Sequence, residues 1–205
     1  MEREDVAPER QELRTRPMED ADIPAVVELH RRFLGYSVNS RFGAAHLSYL
    51  YKITRDDSSS MVLVAICGGE VAGVVSATLD PERLMRRLLR SLSLLGWLRL
   101  FSAVLAHPLV LLEWFESRDL GRPAVHEGRV VAPCLTAIAV DNRFRKAGIG
   151  KALVAGVEDF CRSEGYDAFR LDTREDNETS RIFYKRLGFY EVEKRGKNIM
   201  LVKML

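Results

Sequence analysis

Cysteine is scarce in this 205-residue chain. Its three copies, Cys67, Cys134 and Cys161, lie far apart, each inside an apolar run. An odd count at such spacing makes neither a disulfide framework nor a zinc site, and it fits a reducing, cytoplasmic setting. Histidine is as thin: His30, His46, His107 and His126 are scattered singly, so no metal constellation is expected. Neither sign of charge dominates, because 31 Lys+Arg against 29 Asp+Glu leave a net +2. That gives no reason to expect nucleic acid, whose binding usually demands a strongly basic face, and no nucleic-acid partner is expected. Long apolar runs are missing too. The stretch "LFSAVLAHPLVLL" is well short of the roughly 20 residues a membrane helix needs. The opening "MEREDVAPERQE" has no apolar segment, so residues 1–11 read as a disordered polar tail rather than a secretory signal.

What the chain does have is 47% apolar residues, enough at this length for one well-buried core. Residues 12–205 read as a single domain. Leu13 to Arg16 is a short strand. Ile23, Val26, Val27 and Phe33 then recur at helical spacing behind Asp20 or Asp22 as N-cap. A second helix covers roughly residues 42–53. "MVLVAIC", a "GGE" turn and "VAGVVSATL" form a hairpin. Strand "CLTAIAV" (Cys134 to Val140) precedes a helix from Gly148 to Gly165, striped by Ile149, Leu153, Val157 and Phe160. Strand "AFRLDT", helix "ETSRIFYKRL" stopped by Gly188, and strands "FYEVEK" and "NIMLVKML" complete the order. This is an α/β chain with helices flanking one mixed sheet, without internal repeats.

A segment of about 81–124 breaks the rhythm. It is dense in leucine, carries Arg83, Arg86, Arg87, Arg90 and Arg99, and is interrupted at Gly96 and Pro108. It reads as a helical insertion. Two roles stand open for it: burial against its own domain or a second copy of the chain, or an amphipathic contact with a membrane surface.

The stretch "VDNRFRKAGIGKALVAGV" places Gly148 and Gly150 after basic residues and before a helical pattern. A P-loop would need a glycine at Arg145 and a hydroxyl at Ala152 to hold magnesium. A dinucleotide fingerprint would need a small residue at Leu153. Both fail. A pyrophosphate cradle remains, in which main-chain N–H groups at a helix start meet phosphate oxygens, with Arg145 and Lys146 at the mouth. Downstream, Asn177, Ser180 and Tyr184 stand at i, i+3 and i+7 on one helix face, while Ile182, Phe183 and Leu187 lie off that line and can serve the core.

Together, "RKAGIG" after a strand ending in valine, and "NETSRIFYKRLGF" after the next strand, resemble the acyl-CoA signature of the GNAT superfamily of N-acetyltransferases. The resemblance covers about residues 134–189. It implies a central, mostly antiparallel sheet and an enzyme that moves the acetyl group of acetyl-CoA to the primary amine of a small molecule by direct attack in a ternary complex. Acetyl-CoA would be the co-substrate, with no metal. The pyrophosphate would lie on Arg145, Lys146, Ala147, Gly148, Ile149 and Gly150. The pantetheine arm would run along Ile138, Ala139 and Val140 and meet Asn177, and Tyr184 would return a proton to the CoA thiolate. The general base stays open among Glu113, His126 and Glu127. Protein or peptide N-acetylation and a decayed acyl-CoA-binding module are the alternative readings.

Overall fold

The computed structural model describes residues 12–90, 123–126 and 128–205. Strand β1 (Leu13–Pro17) leads into helices α1 (Ile23–Phe33), α2 (Val38–Arg41) and α3 (Gly43–Arg55). Strands β2 (Ser60–Cys67) and β3 (Glu70–Thr78) follow, then α4 (Pro81–Arg90). After the gap come β4 (Ala124–His126), β5 (Arg129–Val131) and β6 (Cys134–Val140). Helix α5 (Ile149–Ser163), β7 (Ala168–Arg174), α6 (Glu178–Arg186), β8 (Tyr190–Arg195) and β9 (Asn198–Met204) close the chain.

The seven-stranded sheet runs β1-β2-β3-β6-β7-β9-β8. Every pair is antiparallel except β6–β7. The β2–β3 hairpin turns at Gly68 and Gly69, whose φ angles of 59° and 79° are left-handed. Two adjacent positive φ angles are what a tight hairpin turn requires, and glycine adopts them without a Cβ clash.

Strand alternation divides the core between the two faces of the sheet. On one face α5 sets Ile149, Leu153, Val154 and Val157 against Val75, Leu135, Phe169 and Leu171. Leu153 and Val157 are wholly buried, each burial worth about 1.5–3 kcal/mol. On the other face, Val26 and Leu29 of α1 and Tyr51 of α3 cover Val62, Val64, Val74 and Ala139. The same face continues under β7 and β9 as Ala168, Met200 and Val202, with Val131 of β5 laid against them.

The structure departs from the sequence reading at three points. Helix α2 is an additional turn, capped by Ser37, whose side chain accepts from Ser40 N. A separate hairpin, β4–β5, lies at the end of the expected insertion. Ile182, expected in the core, is 49% exposed, because α6 turns Tyr184 inward instead. The insertion begins as the helix α4, with Leu84 and Leu88 buried. Residues 91–122, and with them the rest of the expected insertion, lie outside the described residues, as do the tail 1–11, Glu113 and Glu127. Among the described residues no helix is long and apolar enough to cross a membrane.

Candidate active site

Strands β6 and β7 are parallel partners only at Cys134↔Arg170 and Leu135↔Leu171. Past Leu135 the β3–β6 register shifts: Ser76 faces Ala137 while Ala77 faces Leu135, so Thr136 is an extra residue in β6. Such a bulge bends the strand that carries it. From Thr136 onward β6 has no partner on its β7 side among the described residues, and a wedge opens in mid-sheet.

Hydrogen-bond parity decides which main-chain groups line the wedge. Asp141 N donates to Ala72 O opposite it at 2.9 Å. In an antiparallel pair such bonded positions alternate. Ala139 is therefore turned toward Val74, while the N–H and C=O of Ile138 and Val140 face the wedge. Of the three residues expected along the pantetheine arm, Ile138 and Val140 offer main-chain groups to the wedge and Ala139 is committed to the sheet.

At the open end of the wedge lies the glycine turn. Asp141 caps a 3-10 turn (Asn142–Phe144) by accepting from Arg143 N, and Arg143 is bound by Asp141 and Glu70. Arg145 and Lys146 carry no such ion pair among the described residues. Lys146 has φ 68°, a left-handed value costing a side-chain-bearing residue about 1–2 kcal/mol. Gly148 (φ 79°) is the N-cap of α5, and the first intrahelical bond is Ala152 N to Gly148 O, 3.0 Å. The amides of Gly148, Ile149, Gly150 and Lys151 thus have no helical partner. They point at one place, where the helix dipole favours an anion.

The two glycines differ in why they are glycine. Gly148 is glycine for its left-handed φ of 79°, and nothing lies within 4 Å of an added Cβ there. At Gly150 a Cβ would meet Phe183 Cζ at 3.0 Å, so this glycine lets α6 pack on α5. An acidic substitution that probes the cradle therefore belongs at Gly148. Gly148→Asp is expected to weaken CoA binding tenfold or more, on the order of 1.4 kcal/mol. Gly148→Asn, which also tolerates the left-handed backbone, weakens it less. Calorimetric titration checks this, and equal affinity in the Asp variant and wild type contradicts the cradle.

Helix α6 forms the far wall. Asn177 is its N-cap, with Oδ1 accepting from Ser180 N at 3.1 Å. The hydroxyl of Tyr36, in the loop after α1, lies near this carboxamide, and burial raises the Tyr36 phenol above its ordinary value. Tyr184 is buried, its ring edge-on to Phe183 and Phe189 at 5.2 and 5.3 Å. Burial pushes its phenol well above the ordinary value, and the nearby Tyr36 adds to that shift. Among the described residues nothing hydrogen-bonds the Tyr184 hydroxyl. Tyr184 comes from the α5 side of the sheet and half-exposed Tyr36 from the α1 side.

A carboxylate that sequence reasoning missed stands on β7. Arg170 and Asp172 share the face of Ala168 and form an ion pair at 2.9 Å, with Arg170 wholly buried. Asp172 is one position past the last β6–β7 pairing, where the wedge begins. Burial pushes its carboxyl up to about 6, against the pull of Arg170 and Arg195. Its Oδ1 is buried without a hydrogen-bond partner. A buried carboxylate oxygen left unpaired normally costs about 1–3 kcal/mol or more, and a proton or an amine would satisfy it. The signal in the sequence was two charges set between Phe169, Leu171 and Thr173 of a central strand. The base candidates read from the sequence, Glu113, Glu127 and the side chain of His126, lie outside the described residues.

Residues 107–189 match the family model described as the acetyltransferase (GNAT) family. The likeness to the GNAT family rests on this core. The matched span holds β6, the glycine turn, β7 and α6, whereas Tyr36 and the β3 residues beside β6 lie outside it. A curated relative, N-alpha-acetyltransferase 30 of Schizosaccharomyces pombe, is 32% identical over 65 residues, which cover 32% of this chain and 43% of that protein. The chain thus matches less than half the length of this relative. Among solved structures, the PaiA N-acetyltransferase of Thermoplasma acidophilum in complex with coenzyme A superposes with a TM-score of 0.62 at 12% identity, covering 95% of this chain and 99% of that one. The ribosomal-protein-S18-alanine N-acetyltransferase of Escherichia coli gives 0.57 at 15% identity, covering 94% of each chain. At such identities the structures establish a shared GNAT fold.

Proposed function

We propose that this protein is an acetyl-CoA-dependent N-acetyltransferase acting on the primary amine of a small molecule in a cytoplasmic setting. The observation that carries the reading is the wedge between β6 and β7. It has orphan helix amides at its mouth, free main-chain groups of Ile138 and Val140 along its edge, and a phenol and a raised carboxyl on opposite sides of the sheet. Arg145, Lys146 and the amides from Gly148 to Lys151 hold the CoA pyrophosphate. Ile138 and Val140 align the pantetheine arm by main-chain hydrogen bonds, and an outward amide of β6 polarises the thioester carbonyl. Three buried, free cysteines agree with a reducing compartment.

The proton balance follows from the two titratable groups. Amine nitrogen attacks the thioester carbonyl, and the tetrahedral adduct carries an acidic N–H. Asp172, ionised above about pH 6, takes that proton on its unpaired oxygen. The C–S bond then breaks, and Tyr184, kept protonated by burial, donates to the leaving thiolate. Water returns the proton from Asp172 to Tyr184 between turnovers.

A second reading, acetylation of a peptide α-amine, is favoured by the similarity to N-alpha-acetyltransferase 30. Release of free CoA from acetyl-CoA, scored across aliphatic amines, amino sugars and short peptides with free N-termini, separates the two. Turnover confined to small amines supports the first reading and turnover confined to peptides the second. CoA binding without turnover on any acceptor reduces the chain to a binding module.

A further inference from the structure

A cluster of arginines lies at the other end of β6. A recess of about 400 Å³ is lined by Arg83, Arg86, Arg87 and Arg90 of α4 and by Asp57. The arginines fall at i, i+3, i+4 and i+7, one face of the helix, while Leu84 and Leu88 hold the opposite face in the core.

One of the four is structural. Asp57, with its side chain wholly buried, binds Arg87 at 2.8 Å and also accepts from Ser59 N and Ser59 Oγ. Burial alone would raise this carboxyl, yet its hydrogen bonds from Ser59 and Arg87 hold it down at about 2. Arg87 also donates to Asp56 O at 2.8 Å. This fixes the helix against the α3–β2 loop and presents its neighbours at set spacing.

The other three are loosely held. Arg83 reaches only Ser58 Oγ at 3.3 Å, Arg86 only exposed Glu82 at 3.4 Å, and Arg90 has no ion-pair partner among the described residues. From Arg83 to Arg90 the helix rises about 10 Å, too far for a single carboxylate to reach all three. A guanidinium matches phosphate oxygens two at a time, and every cation here is arginine rather than lysine.

The recess is not part of the CoA cradle. Helix α4 starts after Thr78, which pairs with Cys134 at the beginning of β6, whereas the cradle follows Val140. At about 3.3 Å per residue the two ends are about 20 Å apart.

We infer that α4 carries a binding site for a phosphate-dense anion, an oligophosphate or a cluster of phosphate monoesters, engaged by Arg83, Arg86 and Arg90. The test is calorimetric titration of inorganic tripolyphosphate into the full chain already saturated with CoA, so that the cradle is filled. One further binding event is expected. The triple variant Arg83→Gln, Arg86→Gln, Arg90→Gln, which leaves Arg87 in place, weakens it at least tenfold with CoA affinity unchanged. Gly148→Asp keeps tripolyphosphate binding while losing CoA, so this site stands or falls apart from the acetyltransferase reading. In a parallel arm, flotation with phosphatidylcholine vesicles carrying a phosphoinositide tells the sources apart. Arginine-dependent binding to vesicles but not to free tripolyphosphate places the same chemistry on a lipid headgroup. No binding in either arm, or undiminished binding in the triple variant, overturns the inference.

Discussion

Asp172→Asn lowers kcat/KM by roughly 10²–10⁴-fold, the usual span for removing a general base, and abolishes an acidic limb in the pH profile. The sign follows from the carboxyl at about 6. Only the ionised form accepts a proton, so wild-type kcat/KM falls about tenfold per pH unit below 6 and levels off above it. An acceptor amine of low basicity is needed, because its own ionisation would otherwise mask the limb. The asparagine leaves Arg170, which has no exposed surface, without a counter-charge, and breaking such a pair can cost about 3–5 kcal/mol. The double variant Arg170→Gln, Asp172→Asn removes both charges and guards against a folding defect. Unchanged acetyl-CoA affinity shows that either variant is folded. An acidic limb near pH 6 persisting in a folded variant excludes Asp172 as the base.

Tyr184→Phe lowers kcat by about 10²-fold or more and leaves acetyl-CoA affinity almost unchanged. The ring contacts with Phe183 and Phe189 survive; only the hydroxyl is lost. Because burial lifts the phenol above its ordinary value of about 10, no alkaline limb from Tyr184 is expected in the physiological range. Rapid-quench measurement of the chemical step decides the matter. An unchanged rate constant shows that water or another group protonates the thiolate.

The parts of the site legible in the sequence are those in which chemistry and chain position coincide. Gly148 and Gly150 stand beside the helix they start, and the α6 stretch carries its own punctuation, from the Asn177 cap to Gly188. Even there the reasons for two similar residues differ: Gly148 adopts a left-handed backbone at the helix start, whereas Gly150 makes room for Phe183. Tyr36 could not be read, because it reaches Asn177 and Tyr184 only by the packing of α1 across the sheet. The bulge at Thr136 also escaped, since "CLTAIAV" alternates like an ordinary strand, and register depends on what the partner strand does. Asp172 left a trace, a charge pair in a central strand, which gains meaning only once β6 and β7 are seen to part beside it. Ile182 was misplaced because α6 is a short helix whose rotation is set by buried Tyr184, with Phe183 and Leu187 packing beside it.

The central claim is that acetyl moves directly from a thioester held in the β6–β7 wedge to an amine. A single turnover with protein in excess over isotope-labelled acetyl-CoA, quenched at intervals and read by intact mass, tests it most directly. The account predicts label on the acceptor amine in step with free CoA, and none on the protein at any time. Label passing through an acetylated protein, or bound acetyl-CoA left intact with every amine offered, would contradict it.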